Sequence, residues 1–473
     1  MSAAVPASSP LLEIAIDLRR DAARPLAVQL ADELRRAATS GQLRSGDRLP
    51  STRALAHHLS VSRTVTSAAY EQLGAEGWIA GRHGSGTYVT TTPPGTSGVP
   101  AAPGERREPA ADTRIGLTPG TPWADGIEPA AWRRAWRAAA DAPPDAVPQR
   151  AGLDEYRTTV VDHLLRHRGL VVEDPRVETV LATGGTTAAV SELASAVIRP
   201  GETVAVEEPG YQRAVGALRA AGVGVVPAPV DRSGIVVDAI PEGVRAVYCS
   251  PAHQFPLGGR LPAERRIALV ERARAEGWLI VEDDYDGELR YDVAPLPVLA
   301  SMAPDVVVHL GTTSKILTPT LGSGWMVGPR EVTSAILDVR DRTGTRPAPA
   351  GQRVLVELAR HGDLGRHLRR LRREMSRRRA LIAQSLDAQS LEAGGVEVFG
   401  DRAGAHVVVP LADDERERRV VEAAREHDIV LDGLRRHHDG EQQWFGIALG
   451  YAACSRSELE RMLPVLARLC ADR

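Results

Sequence analysis

The chain has 473 residues, a formal net charge of −3 and 43% hydrophobic residues. This composition can build the cores of two to four folded domains and excludes a chain that is disordered throughout. The net charge also excludes a generally basic nucleic-acid coat protein. Residues 24–90 nevertheless carry eight arginines against five acidic residues. We therefore expect a small basic module on a larger acidic body.

Of the 58 Lys and Arg residues, only one, Lys315, is a lysine. Arginine can replace lysine wherever a fixed positive charge is enough. It cannot replace a primary amine that must lose its proton or form a Schiff base. The lone lysine is therefore a candidate for chemistry. The alternative is a surface lysine left by chance in an arginine-biased chain.

Three cysteines, Cys249, Cys454 and Cys470, form no CxxC pair. This spacing indicates neither a disulfide framework nor a metal site, so we expect reduced thiols and no metal. No apolar run approaches the roughly 18–20 residues that span a bilayer, and the first 20 residues lack the basic start of a signal peptide. We expect a cytoplasmic protein that makes no membrane contact.

The segment from Thr91 to Arg114 is rich in Pro, Gly, Ala and Thr and has no hydrophobic periodicity. It is predicted to be a linker. The predicted domains on either side are residues 12–90 and residues 115–473, and both lie within the size range of independent folding units.

The N-terminal module has the spacing of a helix-turn-helix. Leu26, Leu30 and Leu34 form one stripe of a helix that ends before Gly41. Two short helices follow, with Ser51 and Ser62 as candidate caps. The segment GWIAGRHGSGTYV then predicts a two-stranded hairpin. These patterns alone also fit a small helical interaction domain.

The string LPSTRALAHHLSVSR…AAYEQL…EGW…GSGTYV resembles the winged helix-turn-helix of GntR-type bacterial regulators. The resemblance implies double-stranded operator DNA as a partner. It also implies contacts from one residue of the second helix, three at the start of the recognition helix and two in the wing. These are Arg53, Ser62, Arg63, Thr64, His83 and Gly84. The chain departs from the family at Thr64-Val65-Thr66, where a hydroxyl and a β-branched core residue are exchanged.

After the linker, β-branched runs bounded by Gly and Pro alternate with helical stretches, which predicts a mostly parallel α/β sheet. Polar clusters follow several of these runs, and sites of such sheets lie at the carboxyl ends of the strands. The clusters are a Gly-rich turn suited to an anion, a tyrosine, an acidic strand end and a hydroxyl-flanked lysine. They are Gly184–Thr187, Tyr211, Glu282–Tyr285 and Gly311–Lys315.

Pyridoxal phosphate needs an anion cradle, a stacking face, a partner for its pyridine nitrogen and an amine. These four clusters supply those parts in chain order. Each has an ordinary structural explanation by itself, because Gly-rich turns and acidic strand ends are common in α/β folds. Together they predict a pyridoxal phosphate site.

The segments PAHQFPLGG, VEDDYDGELRY, GTTSKILTP and HLRRLRREMSRRRALI, placed after a GntR-type head, resemble the MocR-type, or GabR-like, regulators. The resemblance implies a fold type I aminotransferase-like domain with a large subdomain, about 145–335, and a small one, about 336–473. It implies a Lys315 aldimine, Asp283 at the pyridine nitrogen, Tyr285 at the phenolic oxygen and Tyr211 on the ring. It further implies Gly185, Thr186, Thr187, Thr312 and Ser314 at the phosphate, and His253 with Gln254 beside the ring face.

Two departures bear on the cofactor and on the ligand. The family usually has a phosphate-binding arginine seven positions after the lysine, where this chain has Gly322. Loss of one charge-assisted contact weakens binding by about 1.5–3 kcal/mol, so we expect weakened pyridoxal phosphate affinity. The segment Gln442–Gly446 also lacks the arginine that aminotransferases present to a substrate carboxylate. Arg435, Arg436 and Arg346 stay open as replacements.

We expect a ligand-responsive, DNA-binding regulator that senses an amino compound or pyridoxal phosphate itself. One alternative is a working aminotransferase that carries a DNA-binding head. The other is a regulator whose body no longer holds the cofactor. The resemblance also implies a homodimer, with each head packed head-to-tail against the partner's body, and an operator that contains two half-sites.

Overall fold

The computed structural model describes residues 11, 14, 16–20, 24–82, 86–90, 114–144, 147–172, 179–291, 297–393 and 398–471. The chain divides into two compact units, residues 1–112 and 113–473. We call them the head and the body and describe each by itself. Within the described residues, no helix is both long enough and apolar enough to cross a membrane.

The head is a three-helix unit with a small antiparallel sheet in the order β1-β3-β2. The predicted winged helix-turn-helix is confirmed. Its elements are α1 (Leu26–Thr39), β1 (Arg48–Leu49), α2 (Thr52–His58), α3 (Arg63–Ala75), β2 (Ile79–Arg82) and β3 (Gly86–Val89).

Both predicted helix caps of the head are present. The Ser51 side chain accepts a hydrogen bond from the Ala54 amide at the start of α2, and Ser62 accepts one from the Val65 amide at the start of α3. Each cap satisfies an amide that has no partner within its helix, and such caps contribute about 1 kcal/mol. Leu30 and Leu34 of the α1 leucine stripe are buried in the core of the head, whereas Leu26 is half-buried.

The body begins at β4 and alternates strands with helices over most of its length. Its helices are α4 (Pro129–Asp141), α5 (Asp154–Arg168), α6 (Thr186–Ala196), α7 (Gln212–Ala220), α8 (Ala263–Glu276), α9 (Arg330–Thr343), α10 (Pro349–Arg360), α11 (Asp363–Ala393), α12 (Asp414–Glu426) and α13 (Arg456–Ala471). Its strands are β4 (Ile115–Gly116), β5 (Val180–Thr183), β6 (Thr203–Glu208), β7 (Gly224–Asp231), β8 (Gly234–Ile235), β9 (Ala246–Cys249), β10 (Leu279–Asp284), β11 (Val307–Thr312), β12 (Gly324–Val327), β13 (His406–Pro410), β14 (Ile429–Val430), β15 (Asp432–Gly433) and β16 (Gly446–Gly450).

The main sheet of the body has eight strands in the order β5-β12-β11-β10-β9-β6-β7-β8. Strands β11, β10, β9, β6 and β7 pair in parallel, whereas β12 runs antiparallel to both of its neighbours. The predicted mostly parallel α/β sheet is therefore confirmed. Its central strands are buried on both faces, as their continuous apolar sequences require.

A second, smaller sheet in the order β13-β16-β15 lies after the 31-residue helix α11. All three strands of this sheet run antiparallel to their neighbours. Helices α11, α12 and α13 pack with it. The body thus has an α/β layer structure followed by an α+β part, which is the large-and-small arrangement of the predicted fold.

A buried ion pair fixes the end of the acidic strand β10. The guanidinium of Arg168 donates two hydrogen bonds to Asp284, with N–O distances of 2.7 and 2.6 Å, and one of 3.2 Å to the Gly287 carbonyl. Both side chains of the pair are almost fully buried, at 1% and 2% exposure. Removal of either partner would leave an uncompensated charge in the interior.

We predict that Arg168→Leu lowers the free energy of unfolding of the body by about 3–5 kcal/mol, the usual cost of breaking a buried pair. Urea unfolding followed by tryptophan fluorescence measures this loss. The control is Arg274→Leu, because Arg274 pairs with Asp305 at the surface. That change should cost about 0–1 kcal/mol. Equal losses in the two variants would contradict a stabilising role for the buried pair.

Candidate functional site

The head presents the predicted DNA-contacting side chains of α2 and α3 on its surface. Arg53, Ser62, Arg63 and Thr64 are all exposed, although the Ser62 hydroxyl also caps α3. Arginines at such positions can bind phosphates or guanine edges in the major groove. The predicted wing residues His83 and Gly84 lie outside the described residues.

The segment Thr64-Val65-Thr66 differs from the usual family pattern, and the structure shows which of its residues belongs to the core. Thr66 is fully buried, and its hydroxyl donates to the carbonyls of Thr52 at 2.9 Å and Arg63 at 3.0 Å. Val65 is half-buried and Thr64 is exposed. Thr64 is therefore the hydroxyl available to a partner, and Thr66 ties the two helices of the motif together.

The body contains a cavity of about 520 Å³ at the carboxyl ends of its central strands. Nine of the eleven residues predicted at the cofactor line it, and His253 and Gln254 do not. The nine are Gly185, Thr186, Thr187, Tyr211, Asp283, Tyr285, Thr312, Ser314 and Lys315. They come from four separate stretches of sequence, and the parallel strands bring those stretches to one edge of the sheet.

Lys315 contributes a primary amine to the cavity. Its Nζ donates a 2.6 Å hydrogen bond to the Gly120 carbonyl. Burial lowers the pKa of Lys315, the positive charge of Arg213 lowers it further, and the carboxylates of Asp286 and Asp283 act in the opposite direction. A lowered pKa increases the fraction of neutral amine, which is the form that attacks a carbonyl carbon.

Asp283 has one oxygen without a partner. The Tyr248 hydroxyl donates to Oδ2, whereas the buried Oδ1 has no hydrogen-bond donor among the described residues. Burial raises the pKa of Asp283 from 3.8 to about 7. A buried acceptor without a donor is costly, and a protonated pyridine nitrogen would supply both a donor and a compensating positive charge.

The turn before α6 is shaped to receive an anion. Gly185 has a φ of +112°, and a Cβ there would lie 3.4 Å from Thr312 Oγ1. At Gly324, on the neighbouring strand, a Cβ would lie only 2.7 Å from the Gly185 Cα. The close approach of these chains leaves the first amides of α6 facing the cavity, next to the hydroxyls of Thr187 and Thr312.

The hydroxyls around this anion-binding turn form hydrogen bonds with one another. Thr187 Oγ1 lies 3.0 Å from the Tyr211 hydroxyl. Thr312 Oγ1 donates to Ser314 Oγ at 2.9 Å and accepts from the Ser314 amide at 3.1 Å. With the amine and the unpartnered carboxylate oxygen, these groups fit pyridoxal phosphate.

His253 does not line the cavity and lies beside Tyr285. Its Nδ1 is 3.0 Å from the Tyr285 hydroxyl and 2.9 Å from Asp286 Oδ2. His253 therefore contacts the side chain that faces the cavity, and it positions Tyr285. Together with Asp286 and His406 it forms a buried cluster whose nitrogen and oxygen atoms lie within 4.8 Å of one another. The sequence-based expectation of no metal stays a prediction.

Three residues that the sequence analysis did not name also line the cavity. They are Arg213, in the first turn of α7, and His406 and His437, from the small subdomain. Arg213 stands two residues after Tyr211, and this spacing was the available signal. Of the three arginines left open, only Arg436 lines the cavity, whereas Arg346 bonds to the Arg340 carbonyl and to Asp341.

At Gly322 the backbone has a φ of +59° and a Cβ would meet nothing within 4 Å. The usual family arginine is therefore absent from a position that has open space. Weakened cofactor affinity stays a prediction.

Two family profiles match the chain. Residues 26–89 match the bacterial regulatory proteins of the gntR family, and residues 115–466 match aminotransferase class I and II. The HTH-type pyridoxine biosynthesis transcriptional regulator PdxR of Corynebacterium glutamicum is 32% identical over 453 residues, which cover 96% of this chain and 98% of that protein. The probable rhizopine catabolism regulatory protein MocR of Rhizobium meliloti is 31% identical over 92% of both chains.

Among solved structures, a kynurenine aminotransferase of Pyrococcus horikoshii in complex with PMP is similar, with a TM-score of 0.68. The match has 23% identity and covers 76% of this chain and 91% of that one. At this identity, the similarity establishes the aminotransferase fold of the body and no more.

We predict that Asp283→Asn has opposite effects on the stability of the cofactor-free protein and on its affinity for pyridoxal phosphate. A raised pKa means that the folded state holds the proton between about pH 4 and pH 7. The stability that this proton contributes is complete below pH 4 and is lost as the pH rises through 7. The asparagine variant cannot ionise, so it should be more stable than wild type above pH 7.

Thermal unfolding at pH 5 and pH 8 measures the first effect, and absorbance titration with pyridoxal phosphate measures the second. The variant should bind the cofactor at least tenfold more weakly, because a neutral amide pairs poorly with a pyridinium. The exposed Asp238→Asn is the matched control and should change neither quantity. Unchanged cofactor affinity in Asp283→Asn would contradict the assigned role.

Proposed function

Because the chain belongs to the MocR-type regulators, in which a GntR-type head precedes an aminotransferase-like body, we propose that it is a ligand-responsive transcriptional regulator of the cytoplasm. The head binds operator DNA, and the body senses an amino compound or pyridoxal phosphate. One observation carries this proposal. The only lysine of the chain shares a cavity with a buried carboxylate oxygen that has no donor among the residues the structure describes.

Pyridoxal phosphate, when bound, supplies an aldehyde that condenses reversibly with primary amines. Lys315 is the primary amine that would hold it. Asp283 would keep a proton on the pyridine nitrogen, and the Tyr285 hydroxyl would donate to the phenolic oxygen. Tyr211 would stack on the ring, and the amides and hydroxyls of residues 185–187, with Thr312 and Ser314, would hold the phosphate.

The small subdomain closes the cavity through the segment that contains His437. The His437 carbonyl accepts hydrogen bonds from the Gly210 amide at 2.9 Å and from Gln212 Nε2 at 2.8 Å. Two residues later, Asp439 forms a bidentate pair with Arg219 of α7, at 2.7 and 2.5 Å. These contacts bind the small subdomain to the loop that carries Tyr211.

A ligand that touches both Tyr211 and the segment 436–437 contacts the large and the small subdomain at once. It can therefore favour one arrangement of the body over another, and this difference in affinity is what a ligand needs to shift an equilibrium. Operator affinity then changes only if the two arrangements hold the heads differently.

The cavity favours amino compounds that also carry an acid group. Arg213 and Arg436 stand at its wall, and both are exposed, so their guanidinium groups are accessible to a ligand. A guanidinium binds a carboxylate with two parallel hydrogen bonds.

We further propose a homodimer in which each head packs head-to-tail against the partner's body, so that the operator contains two repeated half-sites. Regulation is favoured over transamination because the head is a winged helix-turn-helix domain, for which an enzyme has no use. The chain also has glycine at 322, where an arginine would strengthen the hold on the phosphate. A body that had lost the cofactor would have no need to keep Lys315, Asp283 and Tyr285 around one cavity.

We predict that Arg63→Ala abolishes sequence-specific binding to operator DNA and leaves the absorption spectrum with pyridoxal phosphate unchanged. Arg63 is exposed at the first turn of α3, and a lost bidentate contact to a base costs about 1–3 kcal/mol of discrimination. Fragments upstream of the gene and of its neighbours serve as probes in an electrophoretic mobility assay, with unrelated DNA as competitor.

The control is Arg418→Ala, which removes the same charge from the exposed face of α12. It should bind the operator as wild type does. If Arg63→Ala kept its preference for the operator over competitor DNA, the proposed DNA-binding surface would be wrong. If its cofactor spectrum changed as well, the variant would report a general loss of structure.

A further inference from the structure

The helix α11 carries an unusual concentration of positive charge. Between residues 364 and 380 it has eight arginines and one acidic residue, Glu374, in a chain whose net charge is −3. Glu374 is buried, and its carboxylate accepts hydrogen bonds from Arg378 and Arg456. The acidic groups of the helix therefore do not neutralise its surface.

Five of the eight arginines have structural partners. Arg366 pairs with Asp363, and Arg378 donates to three carbonyls of the segment 451–454. Three others bond to backbone carbonyls, namely Arg370 to Gly126, Arg372 to Glu288 and Arg379 to Gly400. The contacts that these five arginines make within the body account for their presence on α11.

The remaining three are Arg369, Arg373 and Arg377, which we call the α11 arginine row. All three are exposed. Within the described part of the chain, none of their guanidinium groups has a hydrogen-bond or ion-pair partner. They are spaced four residues apart, so they lie on one face of the helix at intervals of about 6 Å along its axis. This face is opposite the buried side formed by Leu364, Leu368, Leu371 and Met375.

Three aligned and unpaired guanidinium groups on an otherwise acidic protein fit a polyanion. Guanidinium binds phosphate with two hydrogen bonds and sheds its hydration more easily than an ammonium group does. Duplex DNA carries one negative charge per roughly 1.7 Å of its axis, so a row about 12 Å long faces several phosphates at once.

Resting on the proposed function, we infer that the α11 arginine row is a second, sequence-independent DNA contact that binds the duplex beside the operator. The linker of residues 91–114 spans at most about 80 Å when fully extended, so a duplex held by the head can also reach the body. Such a contact increases the affinity for DNA. It also makes the affinity for the sequence beside the operator depend on the arrangement of the body.

The test compares two duplexes with the full-length protein. One is the minimal operator, and the other is the same operator extended on both sides by unrelated sequence. Fluorescence anisotropy gives the dissociation constants between 50 and 200 mM salt. Wild type should bind the extended duplex more tightly and with a steeper dependence on salt.

The triple variant Arg369→Gln, Arg373→Gln, Arg377→Gln should lose this gain and keep wild-type affinity for the minimal operator. Its salt slope on the extended duplex should fall by about 2.7 for each protomer bound, because each lost phosphate contact lowers it by about 0.9. The matched control is Arg418→Gln, Arg419→Gln, Arg425→Gln, which removes the same charge from exposed positions of α12. It should bind both duplexes as wild type does.

If the row and control variants lost affinity equally, net charge alone would be responsible and the inference would fail. It would also fail if the triple variant matched wild type on both duplexes, which is the outcome expected of a merely solvated face or of a surface for an acidic protein. If wild type bound neither duplex specifically, the proposed function itself would be wrong. Circular dichroism of each variant verifies that it is folded.

Discussion

The site depends on one unsatisfied acceptor in a strand that is otherwise fully paired. Strand β10 ends in three consecutive acidic residues, Glu282, Asp283 and Asp284. Glu282 accepts from the Leu299 amide at 2.6 Å and the Ala300 amide at 3.2 Å, and Asp284 is held by Arg168. Of the three, only Asp283 has a buried oxygen without a donor in the described part of the chain. The protein interior therefore supplies partners for two of the three carboxylates and leaves the third for a ligand.

The rest of the cavity is arranged around that carboxylate by the topology of the sheet. Parallel strands β10 and β11 pair directly, so the strand end that carries Asp283 lies next to the strand that leads to Lys315. The turn before α6 is brought in by β5 through β12, and glycine at 324 permits the close approach. The small subdomain completes the wall, which connects the chemistry of the cavity to the arrangement of the body.

Much of this could be predicted from sequence, because the deciding residues stand next to recognisable strand ends. A lone lysine after a Thr-Thr-Ser turn and an acidic strand end are local signals, and the capping serines of the head are local as well. The sequence predicts His253 beside the cofactor ring, and this role stays a prediction. The structure places the His253 Nδ1 3.0 Å from the Tyr285 hydroxyl, with the imidazole packed against His406 of β13.

His406 and His437 were missed for a different reason. They reach the cavity from segments far apart in the chain, and no motif links those segments before the fold brings them together. The α11 arginine row was also invisible in the sequence, where it is part of an arginine-rich string of eight. Only the partners of the other five distinguish the three that face solvent.

The most direct test of the account is to treat the full-length protein with pyridoxal phosphate, reduce it with borohydride and locate the adduct by peptide mass spectrometry. Since the chain has one lysine, its position is unambiguous. We predict one phosphopyridoxyl group per chain, on the peptide that contains Lys315, and none in the Lys315→Ala variant. No adduct, or one confined to the α-amino group, would contradict the claim that this cavity is a pyridoxal phosphate site.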